Sequence, residues 1–264
     1  MKILVTVKEV AEVDDEFRIS GLDVDDASLE YDLNEWDDYA VEEAVQISEA
    51  NDDVEVVTVT IGPERAEETV RMALAKGADR AVRVWDDALE GAQFLDVNTK
   101  AELLAAVAEE EEPDLVLSGV QAGDDANGAT GVALADRLGF EWAAVVNSLD
   151  LDPDAGVASV RRELEGGVEE LTDVELPAVL TIQTGINEPR YASLRGIRQA
   201  QRKPLEVHSL EAVGLDAGVV ESPVERTDMY EPESEGDATY WEGSAEDTAG
   251  ELADFLRDEG VVEG

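Results

Sequence analysis

Leu115-Val116-Leu117-Ser118 runs without a break into Gly119-Val120-Gln121-Ala122-Gly123-Asp124-Asp125-Ala126-Asn127-Gly128-Ala129-Thr130-Gly131, and the helical pattern Val132 to Leu138 follows. An apolar strand, a long turn and a helix in direct succession form the unit from which parallel sheets with helices on both faces are built. Such sheets bind ligands at the carboxyl ends of their strands. The turn carries four glycines, which admit close backbone approach, and it delivers the chain to a helix N-terminus, where partial positive charge favours phosphate. It lacks the lysine followed by serine or threonine of an ATPase P-loop, and its glycine spacing differs from the dinucleotide fingerprint. It therefore reads as a nucleotide-site loop without a hydrolase signature. A solvated acidic turn is the alternative.

Upstream, the same alternation repeats. Ile3 to Val7 is a continuous apolar, β-branched run, as a strand buried on both faces requires. Asn34-Glu35-Trp36-Asp37 precedes a helical pattern through Ala40, Ala44, Val45 and Ile47, which places Asn34 to cap that helix. Val54 to Ile61 is a strand closed by Gly62-Pro63. Glu64 to Lys76 is a helix ended at Gly77, and Ala81 to Trp85 is a third strand. Thr99 to Glu110 is a helix, separated by Pro113 from the strand that opens the glycine loop. Thr6, the Asn34 turn and Ile61 all fall on one edge of such a sheet, where backbone near Thr6 and Ile61 can receive an adenine edge.

Downstream the period changes. Val157 to Glu175 reads as two polar strands joined at Gly166-Gly167, a β-hairpin standing off the sheet, and Ala178 to Gln183 returns to the core. From Val207 to Thr239 proline, glycine and acidic residues break every period. A last helical stretch, Glu246 to Arg257, offers only Leu252, Phe255 and Leu256 for burial, too little for a helix of its own and enough to dock on a partner. The expected fold is α/β, a doubly wound, mainly parallel sheet of the adenine-nucleotide-binding type with a protruding β-hairpin and an extended C-terminal arm. Residues 1–206 form the nucleotide-binding domain, and 207–264 the arm.

Composition narrows the function. The 65 acidic and 19 basic residues give a formal charge of -46, spread over nearly every segment. Such self-repulsion destabilises a compact state in dilute buffer and is quenched at 1 M salt, where the Debye length is about 3 Å. The expectation is a salt-rich cytoplasm, that of an extreme halophile. Nucleic acid is excluded as a partner because its binding rests on lysine and arginine. No apolar run reaches the roughly 18 residues of a membrane span. With no cysteine and a single histidine, His208, the chain has no disulfide, thiolate metal site, iron–sulfur cluster or histidine triad. Any redox chemistry then uses an organic cofactor, and no catalytic residue or metal ligand is expected.

Five basic residues, Arg190, Arg195, Arg198, Arg202 and Lys203, gather in one short segment of this acidic chain, with Tyr191 and Leu194 among them. They either dock a partner or pair with the chain's own carboxylates.

Taken in order, Met1 to Val10, Val41-Glu42-Glu43-Ala44, Gly62-Pro63, Glu68-Thr69-Val70-Arg71-Met72-Ala73-Leu74-Ala75-Lys76-Gly77-Ala78-Asp79-Arg80, the Gln121 to Gly131 loop, Arg162-Glu163-Leu164-Glu165-Gly166-Gly167 and Asn187-Glu188-Pro189-Arg190-Tyr191 resemble the β subunit of electron-transfer flavoproteins over nearly the whole chain. The resemblance implies an electron carrier rather than an enzyme: a heterodimer whose α subunit holds most of the FAD, fed by donor dehydrogenases and discharged to a membrane quinone oxidoreductase. It implies a structural AMP held by Thr6, Asn34, Glu35, Trp36, Asp37, Ile61 and Gly119 to Thr130, a donor-docking loop over Tyr191 to Gly196 with Leu194 as anchor beside Tyr191 and Arg195, and an arm that embraces the α subunit. Two departures stand out. Glu35 follows Asn34 where the family usually has proline, and the loop version Gly119-Val120-Gln121-Ala122-Gly123-Asp124-Asp125 resembles a subgroup some of whose members bifurcate electrons with a second FAD in place of AMP. A stress-type ATP-binding protein on the same fold is the other alternative.

Overall fold

Ile3, Leu4 and Val5 are wholly buried in β1 (Lys2–Thr6), which is possible only for a strand covered on both faces. The computed structural model describes residues 1–14, 16–231 and 239–262. The chain forms two compact units, Met1–Met229 and Tyr230–Gly264.

In the first unit the chain leaves the sheet after β1. β2 (Glu9–Val13) pairs antiparallel with β5 (Leu29–Leu33), and β3 (Ile19–Ser20) with β4 (Asp23–Val24) makes the tip of this ribbon. α1 (Glu35–Ala50) turns Ala40, Val41, Ala44, Val45 and Ile47 inward at helical spacing. β6 (Glu55–Ile61) follows, then α2 (Glu67–Lys76) with Val70, Ala73 and Leu74 buried. Gly77 ends α2 at φ 148°, where an added Cβ would lie 2.6 Å from Val45 Cγ1, so its bare α-carbon lets the two helices meet. β7 (Arg80–Val84), the short α3 (Asp87–Glu90) and α4 (Val97–Glu111) lead to β8 (Leu115–Gly119) and α5 (Thr130–Leu138). Asp96 accepts the Thr99 amide and caps α4. β9 (Glu141–Asp152), β10 (Val157–Leu164), β11 (Val168–Glu175), β12 (Ala178–Ile182), α6 (Leu194–Ala200) and β13 (Leu205–His208) complete the unit's regular elements.

Nine strands make one sheet in the order β11-β10-β9-β12-β8-β1-β6-β7-β13. Every neighbouring pair from β9 to β13 is parallel, while β10 and β11 are antiparallel additions at one edge. Leu4 lies level with Val57 of β6 on one side and Val116 of β8 on the other. One core, around Ile3, Val5, Val41, Leu74, Leu117 and Leu180, is covered by α1 and α2. The other, around Leu4, Val57, Leu103, Val116, Leu134 and Val179, is covered by α4 and α5. The doubly wound α/β expectation is thus met.

The β10–β11 hairpin joins the sheet through β9, whose twelve residues outrun its neighbour. Glu141 to Val146 lie beside β12, whereas Val146 to Asp152 pair with β10, so the hairpin extends past the carboxyl end of β12. The ladder slips at a bulge where Val145 takes φ 64°, a conformation a β-branched side chain rarely adopts, and its amide donates to Thr181 Oγ1 at 2.9 Å.

From Val207 onward the sequence lacks a period, but the structure continues β13 through His208 and then makes 3-10 turns at Glu211–Val213 and Ala217–Val220. Leu210 is buried in the second core, with Val213, Leu215, Val219 and Val220 packed against it. Irregular spacing conceals this packing from a periodicity argument, because no helix or strand repeat brings these residues inward.

In the second unit α7 (Ala245–Asp258) is capped by Ser244, which accepts the Asp247 amide. Trp241 meets Phe255 edge-on with ring centroids 5.5 Å apart. The helix buries no residue, and Leu252 and Phe255 are each about two-fifths exposed.

Candidate functional site: a cleft at the strand-order reversal

After β1 the sheet grows in one direction through β6 and β7, while β8 and β12 lie on the other side. The order therefore reverses between β1 and β8, which separates their carboxyl ends into a crevice. A cleft of about 480 Å³ opens there, within the range usual for small-molecule sites. Val59, Ile61, Trp85, Leu89, Phe94 and Leu104 give it apolar lining, and the loop from Gly119 to Thr130 gives it polar lining.

Asp37 forms the floor. Its carboxylate accepts the Lys8 amide at 2.8 Å and the Gly119 amide at 3.0 Å, tying the ends of β1 and β8 across the reversal. It is 5% exposed, and burial pushes its carboxyl up to about 7, against the two amides and Asn34, which favour the charged form.

Asn34 stands at the N-cap position of α1 but makes no capping bond with its side chain. It reaches across instead, donating from Nδ2 to the Gln121 carbonyl at 2.9 Å and accepting the Gly123 amide on Oδ1 at 3.2 Å. The capping role expected of it is replaced by a tether on the glycine loop, because the loop's unpaired backbone groups lie within its reach.

The loop is tied a second time by charge. Lys8 Nζ donates to Asp124 and, at 3.1 Å, to Asp125, and Lys100 Nζ donates to Asp125 at 2.6 Å. Burial alone would raise the Asp125 carboxyl, but the Lys100 hydrogen bond and the charges of both lysines hold it below its ordinary value. At the far end, Ala129 precedes α5 without a side-chain cap, and no acidic residue occupies the helix's first turn. Gly131 packs where an added Cβ would lie 2.6 Å from Thr181 Cγ2, which seats α5 directly on β12.

The residues singled out from the sequence distribute as follows. Thr6, Asn34, Asp37, Ile61, Gly119, Val120, Gln121, Ala122, Asp124, Asp125, Gly128, Ala129 and Thr130 line the cleft. Glu35, Trp36 and Gly123 line an adjoining hollow beside the β2–β5 ribbon, and Trp36 Nε1 donates to Gln183 Oε1 at 3.0 Å. Ala126 and Asn127 line neither. Lys8, Arg65, Lys100 and Arg226 also line the cleft without having been expected there. Lys8 carried a signal in the sequence, two residues past the end of a buried strand. Lys100 and Arg226 carried none, since long-range folding alone brings them to this place.

Tyr191 and Leu194 are 98% and 78% exposed, and Arg195 is exposed beside them. Their segment is held from both ends. Arg190 pairs with Glu42 at 2.8 Å and Glu49 at 2.6 Å, and Asn187 donates to Glu43 and the Tyr39 carbonyl. Lys203 donates to the Leu74, Gly77 and Ala78 carbonyls at the end of α2, and Arg71 donates to the Ala200 and Lys203 carbonyls. Two of the five clustered cations therefore serve the fold. Arg195, Arg198 and Arg202 make no ion pair among the described residues.

Among the described residues no helix is long and apolar enough to cross a membrane. The family described as "Electron transfer flavoprotein domain" matches residues 21–213. The chain is 48% identical over 264 residues to electron transfer flavoprotein subunit beta of Methylophilus methylotrophus, covering 98% of each chain. It is 37% identical over 234 residues to the mitochondrial subunit beta of Arabidopsis thaliana, covering 88% of this chain and 90% of the relative. It is 32% identical over 264 residues to subunit beta of Bacillus subtilis, covering 99% of this chain and all of that one.

Proposed function

The chain belongs to the electron transfer flavoprotein family as a β subunit, and from that premise we propose that its switch-point cleft holds a structural AMP while exposed Leu194 docks electron donors. Membership makes the chain an electron-transfer component of a flavoprotein, with an α subunit as its partner. The FAD of the complex supplies the redox chemistry. The residues of this chain bind, orient and dock.

The observation that carries the AMP assignment is the meeting of two chemistries in one cleft. The apolar lining from Val59, Ile61 and Leu104 suits a purine face, and the uncapped start of α5 with Lys8 and Lys100 suits a phosphate. Thr6 and Ile61, at the carboxyl ends of β1 and β6, offer backbone to an adenine edge. The same arrangement does not favour hydrolysis, since no P-loop lysine–hydroxyl pair stands at the helix start.

A second reading rests on the adjoining hollow, which shares Asn34, Asp124 and Arg226 with the cleft. A dinucleotide could place its adenine half in the cleft and its flavin half beside Trp36, as a bifurcating β subunit with a second FAD requires. Under both readings donor dehydrogenases approach the Tyr191–Arg195 segment, a membrane quinone oxidoreductase takes the electrons, and the complex works in a salt-rich cytoplasm. The test is the nucleotide released when the purified heterodimer is denatured. AMP supports the first reading, a second FAD per heterodimer the second, and neither refutes both.

A further inference from the structure

The chain has five lysines, and three of them serve the fold away from the cleft. Lys2 holds Glu111, Lys76 holds Asp38, and Lys203 closes the end of α2. The other two, Lys8 and Lys100, come from elements far apart in sequence and converge on one cleft carboxylate, that of Asp125. Fastening the loop does not require them both, because Asn34 already ties it at Gln121 and Gly123. In a chain of charge -46, two of the few ammonium groups thus line a single cleft, each already matched by an aspartate.

We propose that Lys8 and Lys100 are the phosphate-binding side chains of the cleft, and that Asp124 and Asp125 hold the two ammonium groups in place until a nucleotide phosphate takes over their bonds. The proposal rests on reading the cleft as an adenine-nucleotide site, and it names the groups that distinguish a nucleotide from a nucleoside there. A phosphate monoester carries about -1.5 to -2 charges near neutrality, close to the two carboxylate charges it replaces, so the exchange leaves both lysines balanced. The Lys8 and Lys100 side chains are about one-third and one-fifth exposed, and those of Asp124 and Asp125 about one-quarter and one-fifth, so all four groups already reach the solvent into which a released carboxylate would turn. The aspartates are then positioning residues that compete with the ligand, and the lysines are the residues that bind it.

The two roles predict opposite effects, which calorimetric titration of AMP and adenosine into the nucleotide-stripped full-length complex can read. The wild type is expected to prefer AMP over adenosine. Lys100→Gln, and independently Lys8→Gln, should reduce that preference about tenfold, the loss expected for one charge-assisted hydrogen bond. Asp125→Asn frees Lys100 and leaves Lys8 with Asp124 alone, and it should tighten AMP a few-fold. If Asp125→Asn instead weakens AMP and adenosine together, as the lysine variants would if the network only fastened the loop, the proposal is wrong. Equal wild-type affinity for AMP and adenosine overturns the lysine assignment and leaves a nucleoside cleft. Wild-type binding of neither removes the nucleotide reading itself, and the assignment falls with it.

Discussion

Gly119 donates its amide to Asp37 Oδ1 at 3.0 Å, and a β-carbon on that glycine would lie 2.5 Å from the same oxygen. The end of β8 can approach the buried carboxylate only because the residue there has no side chain. Gly119→Ala should push Asp37 and Trp36 away, since the added carbon would also lie 2.7 Å from Trp36 Cβ. Overpacking of this kind costs about 1 to 3 kcal/mol. Urea denaturation should show the lower midpoint, and a midpoint equal to that of the wild type would mean that the two strand ends are not held by this bond.

Asp37 titrates on folding. Its carboxyl rises from the ordinary 3.8 to about 7, so between those pH values the folded chain holds a proton that the unfolded chain has released. The associated stability is complete below about pH 4 and is lost as pH rises through about 7. Asp37→Asn lacks this titration. The melting temperature of the wild type minus that of Asp37→Asn should therefore be larger at pH 4.5 than at pH 8, measured at constant molar salt. A difference independent of pH would place the Asp37 titration outside this range.

Leu194 should be replaceable without harm to the fold, because it is 78% exposed at the first position of α6. If a donor's pocket takes it, Leu194→Ala loses burial of about 1.5 to 3 kcal/mol and raises the apparent KM for donor dehydrogenases roughly ten- to a hundredfold. The flavin spectrum of the complex and its reduction by dithionite should not change. Normal kinetics with every donor would move docking to another surface.

Lowering KCl from molar to about 0.1 M lengthens the screening distance from about 3 to 10 Å and exposes the -46 charges to one another. Melting temperature should fall steeply over that range, followed by circular dichroism. A flat response would show that paired cations such as Lys76 with Asp38 and Arg190 with Glu42 suffice at low salt.

Truncation before α7 should leave the first unit folded and weaken association with the α subunit. The helix buries none of its residues, although Leu252 and Phe255 lie on it. Size-exclusion chromatography of the coexpressed subunits would show free chains if the helix docks there, and an intact complex if it does not.

The sheet was legible because its strands are short apolar runs buried on both faces, and Ile3 to Val5 or Leu115 to Leu117 admit no other placement. The glycine loop was legible on other grounds: Gly119 and Gly131 stand where an added Cβ would clash, and Gly128 takes φ 61°, a conformation that favours glycine. N-cap preference is a local rule and misses the bond Asn34 makes, because the loop that claims its side chain lies 87 residues away. Lys100 was silent because its role exists only where α4 passes the loop. The packing of Leu210 to Val220 was hidden for want of any repeat, since irregular chain can bury side chains as well as a helix can.

Among the described residues no strand pairs with the outer edge of β11, which leaves that eight-residue strand at the border of the sheet with unpaired backbone donors and acceptors. Such an edge invites lateral accretion of further copies. Four of its residues, Glu169, Glu170, Asp173 and Glu175, are acidic, so two copies aligned edge to edge would bring like charges opposite one another. The opposite border, β13, is only four residues long. Polymerisation through either border is thereby disfavoured: like charges oppose it along β11, and β13 offers too short a ladder to add to.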